Sequence, residues 1–117
     1  MRQLTRTEEE LITLMITSAP DTGDAVHSAE RRRAWLTQVP HTRAGARCGC
    51  GTCPTIELID LNGDAPGMGI ERIVLSAGSP GALLLLFIDD DQLSSLELAP
   101  LEDGPAMDFP EVAEVRL

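Results

Sequence analysis

Three cysteines fall within six residues, as Cys48-x-Cys50-x-x-Cys53 inside Arg47-Cys48-Gly49-Cys50-Gly51-Thr52-Cys53-Pro54. Thiolates are soft donors that suit Zn²⁺ or Cu(I), and the intervening glycines let the backbone curl around a small ion. A structural zinc takes four ligands in a tetrahedron. His41, seven residues upstream of Cys48, is the candidate fourth ligand. His27 is an alternative, and Asp60 is a weaker one. A zinc ribbon or finger would carry a second ligand pair at a distance, and the sequence has none. The zinc reading is therefore Cys48, Cys50, Cys53 and His41, with no other cofactor implied.

The same segment supports two other readings. Cys50-Gly51-Thr52-Cys53 has the spacing of a redox pair, whose reactivity depends on a helix N-terminus lowering the thiol pKa. Here the pair runs into Pro54 and a predicted strand, which is the wrong context. Alternatively the cysteines are small packing residues at a tight turn, since free cysteine is among the most buried residue types.

Other chemistry-bearing residues are weaker signals. Asp89-Asp90-Asp91 offers oxygens to a divalent cation but lacks the spaced ligands and closing Glu of an EF-hand, so it reads as a solvated hairpin tip. Ser76, Ser94 and Ser95 have no histidine or acid placed to activate them. Gly63, Gly67 and Gly69 lie between two predicted strands, whereas a phosphate loop opens a helix. Arg31-Arg32-Arg33 would point about 100° apart around a helix and reads as a solvated face. No acid/base or nucleophile constellation marks an enzyme.

Charge narrows the partners. The 117 residues carry a net charge of −10. Residues 1–53 hold seven arginines against six acids, and residues 54–117 hold two against thirteen. A phosphate-tracking surface needs a basic face, so nucleic acid is not expected. The acidic half keeps the chain soluble or meets a basic partner. The longest apolar run, 82–88, is far short of a membrane span. The start, Met-Arg-Gln-Leu-Thr-Arg-Thr-Glu-Glu-Glu, does not read as a signal peptide, and the expectation is a cytoplasmic bacterial protein. There the cysteines suit thiol or metal chemistry better than a disulfide.

The elements that must position these residues follow from periodicity. Thr7 and Glu10 have capping-box spacing, and Leu11, Ile12, Leu14, Met15 and Ile16 predict a helix over 7–18, stopped at Ala19-Pro20. A second helix is expected over 24–39, starting at Asp24 or Ser28. Val26, Ala29, Leu36 and Val39 form its stripe, Trp35 anchors it to a sheet, and Pro40 ends it. Residues 41–47 read as a polar loop. Strands are predicted at 55–60, 70–77, 82–88 and 93–98. The third is apolar on both faces, and the short links of the last three imply an antiparallel meander. Residues 112–117 are a candidate fifth, edge strand in a tail, 100–117, rich in proline and acid.

The Cys48-Gly49-Cys50-Gly51 segment leading through Cys53-Pro54 into a strand, the Leu84-Leu85-Leu86-Phe87 strand and the Leu93-Ser94-Ser95-Leu96-Glu97 strand together resemble a group of small uncharacterised bacterial proteins, mostly actinobacterial. The resemblance covers about residues 8–100. It implies a β-meander after the cysteine segment and carries no activity. The chain departs from the pattern at Asp91-Gln92, where a glycine would be expected.

These readings combine into one α+β domain, 1–117, with two N-terminal helices on a four-stranded antiparallel sheet, or five with the tail, in the order α-α-β-β-β-β. The expected function is a non-enzymatic protein-interaction domain that can pair with itself through a free sheet edge. The alternatives are a zinc module and an acidic immunity or inhibitor protein. Elemental analysis with free-thiol titration, on protein purified without chelator, separates the cysteine readings. Without a second ligand pair the expected result is no metal and three titratable thiols; zinc with all the thiols protected would make the segment a structural metal site.

Overall fold

A computed structural model describes residues 1–47, 49, 54–67 and 69–117. In chain order the elements are β1 (Arg2–Gln3), α1 (Arg6–Ser18), α2 (Ala29–Leu36), β2 (Arg43–Arg47), β3 (Ile56–Ile59), β4 (Arg72–Ser79), β5 (Ala82–Asp89) and β6 (Gln92–Pro100). Short 3₁₀ turns follow α2, at Val39–His41, and lie in the tail, at Val112–Glu114. The fold is α+β, with two helices and six antiparallel strands in the order β1-β2-β3-β6-β5-β4.

Helix α1 forms where the apolar spacing predicts, but its first turn sits two residues earlier. Two overlapping capping boxes are written in this stretch, Thr5-x-x-Glu8 and Thr7-x-x-Glu10. The first is used: Thr5 Oγ1 accepts from the Glu8 amide at 3.1 Å, and Glu8 accepts from the Thr5 amide at 2.8 Å. Arg2 decides between them. It donates twice to the buried Glu8 carboxylate, at 2.8 and 2.9 Å, and so ties β1 to the helix start. Helix α2 is shorter than expected. Ser28 caps it, Asp24 lies outside at φ 62°, and Val26 is 96% exposed. Pro40 sits inside the 3₁₀ turn, where a first-turn proline is tolerated.

The sheet has six strands where four or five were expected. Residues 43–47 look like a polar loop in sequence, yet Ala44 is fully buried and pairs with Leu58. The last three strands form the expected meander. The first of the predicted four, β3, lies beside β6 and not beside β4, through the long 60–71 connection. This is Greek-key order, with one strand returning to the far side of a meander. The tail forms no strand. Arg116 makes a single bridge with Gly78, exchanging hydrogen bonds of 2.7 and 2.8 Å.

Alternation divides the sheet. Ile56, Leu58, Ile73, Leu75, Ala77, Leu84, Leu86, Ile88, Leu96 and Leu98 point to one side and are buried with Leu11, Ile12, Met15 and Ile16 of α1 and Trp35 of α2. Met107, Phe109 and Val112 of the tail pack against the same core. Thr5→Ala is expected to lower stability by about 1 kcal/mol in urea unfolding, the usual effect of losing an N-cap. Thr7→Ala is expected to change it by less than about 0.5 kcal/mol.

Candidate functional site

The charged residues gather at the end of the β5–β6 hairpin. Its two turn residues, Asp90 and Asp91, have φ of 47° and 63°, the left-handed pair that a two-residue hairpin turn requires. Each aspartate of the triplet has a separate set of donors. Asp89 is buried and accepts two hydrogen bonds from Arg72, at 2.7 and 3.0 Å. Asp90 accepts from the Ile70 and Glu71 amides, at 3.2 and 2.9 Å. Asp91 accepts from Trp35 Nε1 at 2.9 Å and from Arg31 Nε at 2.8 Å. The tip is a hairpin turn with Asp90 and Asp91 exposed, as three adjacent acids suggest, and its carboxylates are at the same time intramolecular anchors.

The arginine run is likewise engaged. Arg31 pairs with Asp91 and Glu71 and lies over Trp35, 5.5 Å from the ring centroid. Arg32 donates to the Ile16 carbonyl in the last turn of α1 at 2.9 Å. Only Arg33 of the three is exposed. His27, an alternative zinc ligand from sequence, sits 2.7 Å from Asp21 and edge-on to Trp35, with ring centroids 5.3 Å apart. Among the described residues no buried side-chain nitrogen or oxygen lacks a partner. This cluster fastens α2 and the 20–28 segment to the hairpin.

Cys48, Cys50 and Cys53 lie outside the described residues, so the metal reading is not placed by them. His41 is described. It is exposed, just before β2, and lines a cleft of about 390 Å³ with Gln38, Asp60 and Asp64. The whole of β2 separates it from Arg47. Asp60 accepts from the Asn62 and Asp64 amides at 2.8 and 3.0 Å, as a turn residue does. Among the described residues no group of three or more His, Cys, Asp or Glu is placed to hold a metal ion. No helix among them is long and apolar enough to cross a membrane.

The face of the sheet opposite the helices is the feature that remains. Val74, Leu83, Leu85, Phe87 and Ala99 alternate with core residues and so point away from the helices. Leu83 is 42% exposed and the others are half-buried. Among the described residues no element packs over them. Their register is known: Val74 opposes Phe87, Ser76 opposes Leu85, and Gly78 opposes Leu83. On the other side Leu83 opposes Ala99, Leu85 opposes Glu97, and Phe87 opposes Ser95. Arg72 closes one end of the patch, its guanidinium 5.0 Å from the Phe87 ring centroid.

Among the described residues one sheet edge is covered and the other is short. Along β4, the Thr22 amide donates to Val74 O at 2.9 Å and the Ser76 amide to Pro20 O at 3.0 Å. Asp21 bridges Leu75, and Arg116 bridges Gly78. The other edge, β1, is two residues long. The free edge expected from sequence is thus replaced by a strapped edge and a short one, both familiar protections against strand addition. Sequence reasoning found the doubly apolar β5 but not the face, because pairing order decides which residues lie beside it.

The site thus belongs to a two-layer α+β domain whose second sheet face has no cover among the described residues. Comparison of the chain with protein-family models, with curated proteins and with solved structures finds no match.

The anchors make stability sensitive to acid. The His27 hydrogen bond lowers the pKa of Asp21, Arg72 lowers that of Asp89, and Arg31 followed by Trp35 lowers that of Asp91. Burial pushes Glu8 up, but Arg2 and the Thr5 amide outweigh it, and the net shift is also down. Each carboxylate therefore binds its proton more weakly folded than unfolded. Their contribution is fully present above the ordinary values of 3.8 for Asp and 4.5 for Glu, and is lost as pH falls through the lower, folded values. Urea midpoints are expected to be flat from neutral pH to about pH 5.5 and to fall steeply below about pH 4. Asp91→Asn should flatten the acid limb.

Proposed function

We propose that this chain is a non-enzymatic protein-interaction domain whose docking surface is the open face of its sheet. The observation that supports it is β5, a strand apolar on both sides with helices on only one. A sheet face exposed to water normally carries polar residues at alternate positions. Here Leu83, Leu85 and Phe87 occupy three successive outward positions of β5, with Val74 and Ala99 beside them. Removing these half-exposed side chains from water contributes about 1 kcal/mol each, roughly half the value for full burial. Serines and Glu57 and Glu97 border the patch, giving the apolar centre and polar rim of an interface.

The edges support the same choice. Strand addition would have to displace the Pro20–Thr22 strap and the Arg116 bridge from β4, whereas face docking displaces nothing described. The test is photo-crosslinking in the cell that makes the protein, with a photoreactive phenylalanine derivative at position 85 and, as a control, at position 9 on the outer side of α1. Discrete protein adducts from position 85, absent from position 9, are expected. Equal background from both positions would sink the proposal.

A further inference from the structure

We infer that the occupant of the open face is a second copy of this chain, packed sheet to sheet about a two-fold axis that runs along the strands between β4 and β5. The inference rests on the docking reading above and adds the partner.

Relief is the first argument. Leu83, Leu85 and Phe87 make a ridge along β5. On β4, Ser76 and Gly78 oppose Leu85 and Leu83 and make a trough beside them, which ends at Val74 opposite Phe87. A surface that carries a ridge and a parallel trough is complementary to itself under a two-fold rotation, and two-fold dimers are the commonest oligomers. With the axis between the two strands, Leu85 of each copy seats over Ser76 of the other, and Leu83 over Gly78. The alternative axis, between β5 and β6, would set Leu85 against Glu97 and bury a carboxylate in an apolar contact. The relief therefore selects the β4 side.

Charge is the second. The chain as a whole is at −10, which would favour a basic partner if the acids were concentrated on this face. Among the described residues its unpaired acids there are Glu57 on β3 and Glu97 on β6, at the border away from β4. Along β4 and β5 the face holds Arg72 and Asp89, bonded to each other, and no other charged side chain. A basic partner would find most of its acids elsewhere on the molecule, while a second copy meets a neutral apolar surface along these two strands. Two such chains still repel each other at long range, so salt should tighten the pair by screening, whereas salt would weaken a contact with a basic protein.

Area is the third. Three strands, β4 to β6, about 4.8 Å apart and roughly 27 Å long, present on the order of 400 Å². Two such faces together bury on the order of 800 Å², the size of a weak, reversible contact. Aligned sheets pack at about −30°, and the neighbouring small residues on β4 leave room for that approach.

The experiment is sedimentation equilibrium of the full chain from micromolar to millimolar concentration, at low and at high salt. A reversible monomer–dimer equilibrium that tightens with salt is expected. Leu85→Glu should weaken it at least about tenfold, since it places a carboxylate in the contact. Ser76→Leu is the sharper variant. It adds apolar surface but fills the trough, so the seated arrangement loses affinity while a merely sticky patch would gain it. Circular dichroism and urea unfolding verify that both variants keep the fold of the native chain. A dimer unchanged by Leu85→Glu, strengthened by Ser76→Leu or weakened by salt would overturn the inference. So would a strict monomer at millimolar concentration. In that last case adducts to a different protein from position 85 would leave the docking surface standing, and their absence would remove both readings.

Discussion

The carboxylate of Asp91 is the interaction on which the helical layer depends. Helix α2 is eight residues long, too short to persist alone in water, and Trp35 is its one buried residue. Burial would leave the indole N–H without water, at a cost of about 1–3 kcal/mol if it had no acceptor. Asp91 supplies that acceptor and also receives Arg31, one helical turn earlier. Gln38 completes the clamp: its amide donates to the Asp91 carbonyl at 2.6 Å and its oxygen accepts from the Leu93 amide at 3.0 Å. Helix and hairpin are thereby joined by four hydrogen bonds through one turn.

That role explains the turn's composition. A left-handed pair is easiest for glycine, and aspartate tolerates it at some cost. Glycine at this site would relieve the backbone and remove the acceptor for Trp35 and Arg31. Asp90 has its own task, holding the backbone at Ile70 and Glu71. A Cβ on Gly69 would overlap the Asp90 carboxylate, so a larger residue there would have to displace it from the Ile70 and Glu71 amides. The acidic excess of the second half is in this way partly consumed inside the molecule.

The arrangement of layers follows. With α2 clamped at one end of the sheet, α1 beside it and the tail filling the rest of that side, most of the buried apolar side chains lie on one face. The β4 edge is covered by the Pro20–Thr22 strap, and the opposite edge is a strand of two residues. Among the described residues the opposite face has no such cover, and β5 carries a second apolar row there.

Much of this architecture is local in origin and so was legible in the residues. The apolar spacing of 11–16, the Ala19-Pro20 stop, the period-two runs of β4 to β6 and their short turns all act within a few residues, and Trp35 could be named as the anchor because a lone aromatic must be buried somewhere. Other features were decided by tertiary contacts. Arg2 chose between two equally good capping boxes. Ala44 turned a polar stretch into a strand because a neighbour was there to cover it. The anchoring role of Asp89, Asp90 and Asp91 is not legible in sequence because their donors, Arg72, the amides of Ile70 and Glu71, and Trp35, are distant in sequence or arrive through backbone. The sequence by itself determined which segments are helix or strand and which side chains need burial, since those depend on periodicity and propensity. Only the tertiary structure decided strand order, the covering of the β4 edge and the exposure of one sheet face, because each depends on which distant segments pair along a given hydrogen-bonding row or pack on a given apolar surface.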